Sequence, residues 1–464
     1  MRRVIGLCVL ALCACSSGAV SGGGGGGAGG TGGGGTGGGG GGAIDSGTDA
    51  GSTDAGFDGG FDAGIDDGGT DAGLDAGTTD GGTGWTALPC TVHVGSGSGT
   101  FTIDSTVGSA GDVICLAPGS YSGGSITGVS HRVIQNDGAL VTVTGVVTIG
   151  NLSDVTLSGS GDPATPYGFL FTGAQATMQI TGPNDHVVFH DLEAIGAGIL
   201  LDAGHTNLVW SGSTSQLVLY QALIDRIHLK QSGQLFQGNY GAPSMFTNFA
   251  SDVEMSNVIV EDSIGTGQNV VAAGGLFNLN AHDWTITGHN TVVVGSGDDR
   301  DVGVFSIVGS GALRRIHRVG GWGWLIRNFG ASLGPNRGEF YCENNVDIGT
   351  EYYGTCEVRT DNTATDTYLV PGMISTIDVF IRDNVSGHKL DIKGGYTTAI
   401  GLIPYLAPNT TATLTGNVGC DNAQDYGDMD SLHFFQVDGT VVKSNNQQLT
   451  SCTGVIDPIT GQPL

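Results

Sequence analysis

The octapeptide Ile-Asp-Arg-Ile-His-Leu-Lys-Gln, residues 224–231, places Asp225, Arg226, His228 and Lys230 at spacings that suit a strand. At a side-chain period of two, Arg226, His228 and Lys230 share one face, and Ile227 and Leu229 take the other. Two cations and an imidazole rarely point into an apolar core, so the isoleucine and leucine are expected inside. The outward set is what β-elimination beside a carboxylate requires. A cation neutralises the carboxylate, a base takes the neighbouring proton, and an acid protonates the leaving oxygen. Lys230 or His228 is the candidate base, and Arg226 with an arginine from 314–318 is the candidate neutraliser.

A second stretch, RRIHRVGGWGWLIRNFG at 314–330, gathers Arg314, Arg315, His317, Arg318 and Arg327 around Trp322 and Trp324, in a chain of formal charge −28. Of 16 Lys and Arg, eight fall between Arg226 and Arg337. Brought side by side they form one positive groove for an anionic polymer. Arg318, Arg327 and Arg337 are its expected contacts, and Trp322 and Trp324 are expected to stack on sugar faces. Apolar Ile316 assigns the Arg315/His317 face to the outside, which adds both to the candidate catalytic set. A second reading pairs Arg327 or Arg337 with Glu339, Glu343 or Glu357 as salt bridges. Asp298, Asp299 and Asp301 read either as a solvated corner or as oxygen ligands for calcium, the one metal cofactor the sequence raises. His186, His190, His205 and His282 fall on separate repeats and form no ligand pair.

What must position these residues is a pile of short strands. From about residue 100, apolar alternations of three to five residues end in Gly, Asn, Asp or Ser, as in NDHVVFHDLEAIG and ASDVEMSNVIVEDS. The markers Asp154, Asp185, Asn207, Asp252 and Asp283 imply coils of roughly 20–30 residues, the length of a β-solenoid repeat whose core only stacking completes. Hairpin signals such as Asn-Gly are rare, which weighs against a β-sandwich. Six cysteines lie in this body and pair most economically as Cys90–Cys115, Cys342–Cys356 and Cys420–Cys452, the pattern of an exported protein, although six cysteines allow 15 pairings.

Ahead of the body, residues 1–14 read as a signal peptide. The sequence Leu-Cys-Ala-Cys resembles a bacterial lipobox, which makes Cys15 the acylated residue and the outer membrane or cell surface the destination. Residues 15–84 are Gly with scattered Asp, a tether spanning about 45 Å. The β body is expected over 85–418, with a cap over 419–464. The negative charge argues against a nucleic-acid partner. Oligomeric state is not legible.

GDVICLAPGSYSGGSITG at 111–128 resembles the opening coil of pectin-lyase-like right-handed parallel β-helix proteins, and NDHVVFHDLEA is similar to their repeating unit. The resemblance covers coil architecture over most of residues 90–450. It implies an all-β, right-handed parallel β-helix and an acidic-polysaccharide partner. It also implies lyase, polygalacturonase-like hydrolase, esterase or non-catalytic adhesive roles. The Gly-Asp-Asp at 297–299 resembles the hydrolase signature, but the remainder of that signature is missing, so a lyase of the pectate or alginate type is the preferred enzyme and a surface spike its alternative. The leader resembles those of exported proteins from myxobacterial-type Gram-negative bacteria.

Overall fold

Short β-branched runs cannot each bury a face alone, and in the computed structural model they do so by stacking. The structure describes residues 85–162, 164–206, 208–238, 247–261, 269–288, 303–321, 323–333, 338–350, 355–359, 373–374, 377–388, 399–400, 402–405, 410–421, 423–424 and 439–464. The leader over 1–14, the 15–84 linker, Cys15, Asn207, Trp322, Arg337, Asp298, Asp299 and Asp301 lie outside these residues.

Among the described residues the chain is all-β apart from one 3-10 turn, Thr214–Gln216. Nearly every pairing is parallel and joins a strand to its counterpart one coil away, which gives a single 29-stranded sheet wound as a parallel β-helix. Each coil lays down strands in three columns. The residues before a corner form the first column, such as Ala250–Ser256, and those after it the second, such as Ile259–Glu261. The third column contains Thr177–Ile180 and Ile199–Asp202.

Period-two alternation sends every other residue inward, and like side chains stack. One inward row runs Ile134, Leu157, Phe189, Ile224, Met255, Ala281, Leu313, Cys342, Ile381, Leu414, each the register partner of the next. All ten are buried. Full burial of a large aliphatic or aromatic side chain is worth about 1.5–3 kcal/mol, so the stack is the main source of stability.

The corner between the first and second columns is a left-handed residue in every coil from Asp191 onward. Asp191, Arg226, Asn257, Asp283, Arg315, Asn344, Asp383, Gly416 and Asn445 hold φ between 51° and 69°. Asn, Asp and Gly tolerate that conformation, which explains the Asx rhythm of the sequence. The spacing of this corner is uneven. It is short from Asn257 to Asp283 and much longer from Asn344 to Asp383, so several coils exceed the length that the sequence markers imply. Asp154 and Asp252 belong to a different corner, with His131, His186 and Gln221.

One residue past the corner, Asn345, Asn384, Asn417 and Asn446 form an inward ladder, with Nδ2 donating to the next Oδ1 at 2.9–3.0 Å. Each amide also donates to a backbone carbonyl, which satisfies polar groups inside an apolar stack.

The three disulfides are Cys90–Cys115, Cys342–Cys356 and Cys420–Cys452. Parallel pairing continues beyond residue 419. Thr440–Ser444 pairs with Thr411–Thr415, and Gln447–Gln448 with Val418–Gly419. The coil pattern thus continues through TVVKS and NNQQ within the 419–464 segment. At the other end, Val92–Val94 is already a coil strand, and Trp85–Cys90 lies outside the sheet as a strap.

Candidate functional site

Past the corner at residue 226, the second column resumes with Ile227 and Leu229 buried and His228 and Lys230 facing out. Arg226 is not on that strand face. It holds φ of +52° as the corner itself and ion-pairs with buried Asp191, the corner of the preceding coil. The expectation of three residues on one flat face is thus corrected to two, because the chain bends at the first.

His228 is hydrogen-bonded to one carboxylate and lies close to a second, its Nε2 making no hydrogen bond. Its Nδ1 lies 2.9 Å from Glu193 Oε1, its register partner on the preceding coil, and its Nε2 lies 3.3 Å from Glu261 Oε2 on the following one. Lys230 Nζ sits 3.6 Å from the same Glu261 oxygen and is 44 % exposed. The Tyr167 ring tilts against the imidazole with centroids 5.5 Å apart. Burial, then the charges of Glu193 and Asp191, hold the Tyr167 phenol above its ordinary pKa, so it keeps its proton at neutral pH. Tyr167 arrives on the loop between Leu152–Ser158 and Phe169–Thr172. A phenol, an imidazole, an ammonium and two carboxylates therefore lie together on one outer surface. Sequence reading missed Tyr167, Glu193 and Glu261. The loop GDPATPYG, long for a connection between two strands of one coil, was the available signal for the tyrosine.

The strip at 314–330 has a different explanation. Its arginines pair with an acid at the same height of a neighbouring coil. Arg314 Nε meets Glu343 at 3.0 Å, Arg318 meets Asp347 at 2.7 Å, and Arg327 meets Glu357 at 2.9 Å, all three register partners. Arg315, a corner at φ +51°, grips the preceding corner, Asp283, through both carboxylate oxygens at 2.7 and 2.5 Å. A left-handed arginine costs on the order of 1–3 kcal/mol and persists where the surrounding structure fixes it, here the stacked coils on either side. Arg226 over Asp191 repeats the arrangement.

The expected positive groove is therefore corrected to a ladder of ion pairs. Arg318 and Asp347 are fully buried inside the coil, Trp324 is 3 % exposed, and Arg327 and Glu357 are buried together, so Arg318, Trp324 and Arg327 do not present themselves to a polymer. His317 faces outward beside buried Ile316, as alternation expects, but it stands three coils beyond His228 in the same row. At about 4.8 Å per strand that is roughly 14 Å, so neither it nor Arg315 joins the His228 group.

The other histidines sit beside aspartates, not metal-ligand partners. His186 pairs with Asp185, His190 with Asp191, His205 with Asp202 and His282 with Asp283, each at 2.7–2.8 Å. The one His/Cys/Asp/Glu grouping with ligand spacing among the described residues is Cys90, Cys115 and Asp137, and the disulfide there leaves no thiolate for a metal. No helix among the described residues is long and apolar enough to cross a membrane. No protein-family model, no curated protein and no solved structure matches the chain.

Proposed function

We propose that this chain is a lipid-anchored surface protein of the pectin-lyase-like β-helix kind. Its His228 site binds an acidic polysaccharide and cleaves it by β-elimination. The observation that carries the reading is His228 hydrogen-bonded to Glu193 and close to Glu261, with a protonated Tyr167 against its ring. Glu193 accepts from Nδ1–H and leaves Nε2 as the base. A uronate displaces Glu261 from Nε2 and places its carboxylate on Lys230, which acidifies the neighbouring C–H. Nε2 takes that proton, the C–O bond to the next sugar breaks as the C=C bond forms, and the Tyr167 hydroxyl protonates the leaving oxygen. Cys15 supplies the membrane attachment in this reading, and residues 15–84 supply the reach.

The test is Tyr167→Phe and Lys230→Ala, assayed with uronic-acid polymers by the absorbance of the unsaturated product. Each is expected to lower the rate by about 10²–10⁴-fold, the usual worth of one acid–base group, with folding unchanged. Undiminished product formation in both variants would sink the assignment. A second reading, a non-catalytic adhesin or spike, is favoured by the in-register pairing of the strip arginines, which gives those cations a structural use. An adhesin predicts binding without product, and a spike predicts neither.

A further inference from the structure

The outer row that ends the first column runs Gln135, Ser158, His190, Asp225, each the register partner of the next. The strap Trp85–Cys90 lies across it. Leu88 exchanges hydrogen bonds with the Gln135 side chain at 2.7 and 3.2 Å. Trp85 stacks on the His190 ring at 4.0 Å and donates from Nε1 to Asp225 at 2.9 Å. Between these anchors the strap roofs a cavity lined by Trp85, Thr86, Ser158, Ser160 and His190, among others. The space open to water centres is ≈ 20 Å³, room for about one water.

His190 is fully buried, and its Nδ1 lies 2.7 Å from Asp191 Oδ2. Its Nε2 is buried without a hydrogen-bond partner. Asp191 is held from its other side by Arg226. Ser158, on the adjacent strand, has its hydroxyl 2.6 Å from that of Ser160 and is itself buried. An imidazole oriented by a carboxylate, with a free second nitrogen and a serine one strand away, is the constellation of nucleophilic acyl transfer. His282–Asp283 shows that the corner alone produces the His–Asp pair, but that pair is only part-buried, with Nε2 taken by Glu254. His282 also has a serine, Ser256, as its register partner, but that hydroxyl donates to Asp225 at 2.7 Å. Of these two pairs, the one at His190 has Nε2 without a hydrogen-bond partner and the Trp85 strap above it.

We propose that Ser158, His190 and Asp191 form a second, latent hydrolytic site for short-chain acyl esters, with Trp85 as its lid. On opening, Ser158 Oγ bonds to the ester carbonyl carbon while its proton passes to His190 Nε2. The Ser160 N–H, which donates to Ser158 Oγ at 3.2 Å, is a backbone donor beside the nucleophile that the developing oxyanion can recruit. Collapse breaks the ester C–O bond, and Nε2 returns the proton to the departing alcohol. Water then repeats the sequence to release the acid and free serine. Burial holds the His190 pKa below its ordinary value, so the imidazole is the neutral base the step needs.

The full chain is treated with a fluorophosphonate serine probe, followed by intact mass and peptide mapping, and with p-nitrophenyl acetate. The wild type is expected to label slowly at Ser158. Trp85→Ala, which removes the lid, is expected to label at least about tenfold faster if the open form is a tenth or less of the wild-type population. Trp85→Phe keeps the stacked ring and loses only the Asp225 bond, so it should fall between them and serves where the alanine variant does not fold. Ser158→Ala should abolish label and acetate hydrolysis while leaving the uronate reaction unchanged. A label that survives Ser158→Ala, or lid variants that react no faster than wild type, overturns the proposal.

Discussion

Replacing Asp347 by alanine tests whether the strip is an internal ion ladder. Asp347 takes Arg318 in a bidentate grip at 2.7 and 2.8 Å, with both side chains at 0 % exposure. It also accepts from Thr355 Oγ1 at 3.2 Å. Without it, the guanidinium keeps, among the described residues, the Gly323 carbonyl at 3.0 Å, inside a low-dielectric stack. Breaking a buried pair from one side costs about 3–5 kcal/mol, because the surviving charge stays desolvated. Replacing both members by apolar residues of similar volume is often neutral. The expected result is that Asp347→Ala lowers the unfolding free energy by about 3–5 kcal/mol in urea titrations followed by circular dichroism, and that Arg318→Met with Asp347→Leu recovers most of it. Coil proteins can unfold in stages, so hydrogen exchange of the amides from Leu313 to Val319 should report the same loss locally. An Asp347→Ala cost below about 1 kcal/mol would mean that Arg318 reaches water, and the buried-ladder account would be wrong.

Other outcomes follow from the same architecture. Asn384→Ala removes the acceptor for both the backbone and side-chain N–H of Asn345 and the donor to the Cys342 carbonyl, and should cost about 3 kcal/mol in the same unfolding assay. Cys452→Ser opens the loop closed by Cys420–Cys452 and should cost about 3–4 kcal/mol relative to the oxidised wild type in the same unfolding assay. The hydrogen bond that His282 donates to Glu254, then that to Asp283, holds its pKa above the ordinary value despite burial. The protonated form therefore stabilises the fold fully below about pH 6.5, and that contribution is lost as pH rises through the higher folded pKa. Thermal melts from pH 6 to 8 should accordingly fall more steeply for the wild type than for His282→Gln.

Much of the fold was legible because a solenoid repeats its physics. Period-two runs ending in Asx dictated stacked strands, and Ile227 and Leu229 marked the inner face at 224–231. Cysteine economy matched the three bridges. The sites were harder to read. Alternation assumes an unbroken strand, and Arg226 and Arg315 break it by taking a left-handed corner normally held by Asn, Asp or Gly. Arg318 looked like a surface cation because its partner, Asp347, lies a full coil further along the chain. Coil length varies along the molecule, so no fixed period aligns the two. Tyr167 and Trp85 reach their positions through a loop and a strap, and neither carries a periodic signal.

The most direct test of the functional claim is to incubate the full chain with a panel of acidic polysaccharides, with and without calcium, and record unsaturated product and binding together. The account predicts product from at least one uronate polymer, lost in Tyr167→Phe and Lys230→Ala. Binding without product, or neither, would contradict it and leave the β-helix as a non-catalytic scaffold.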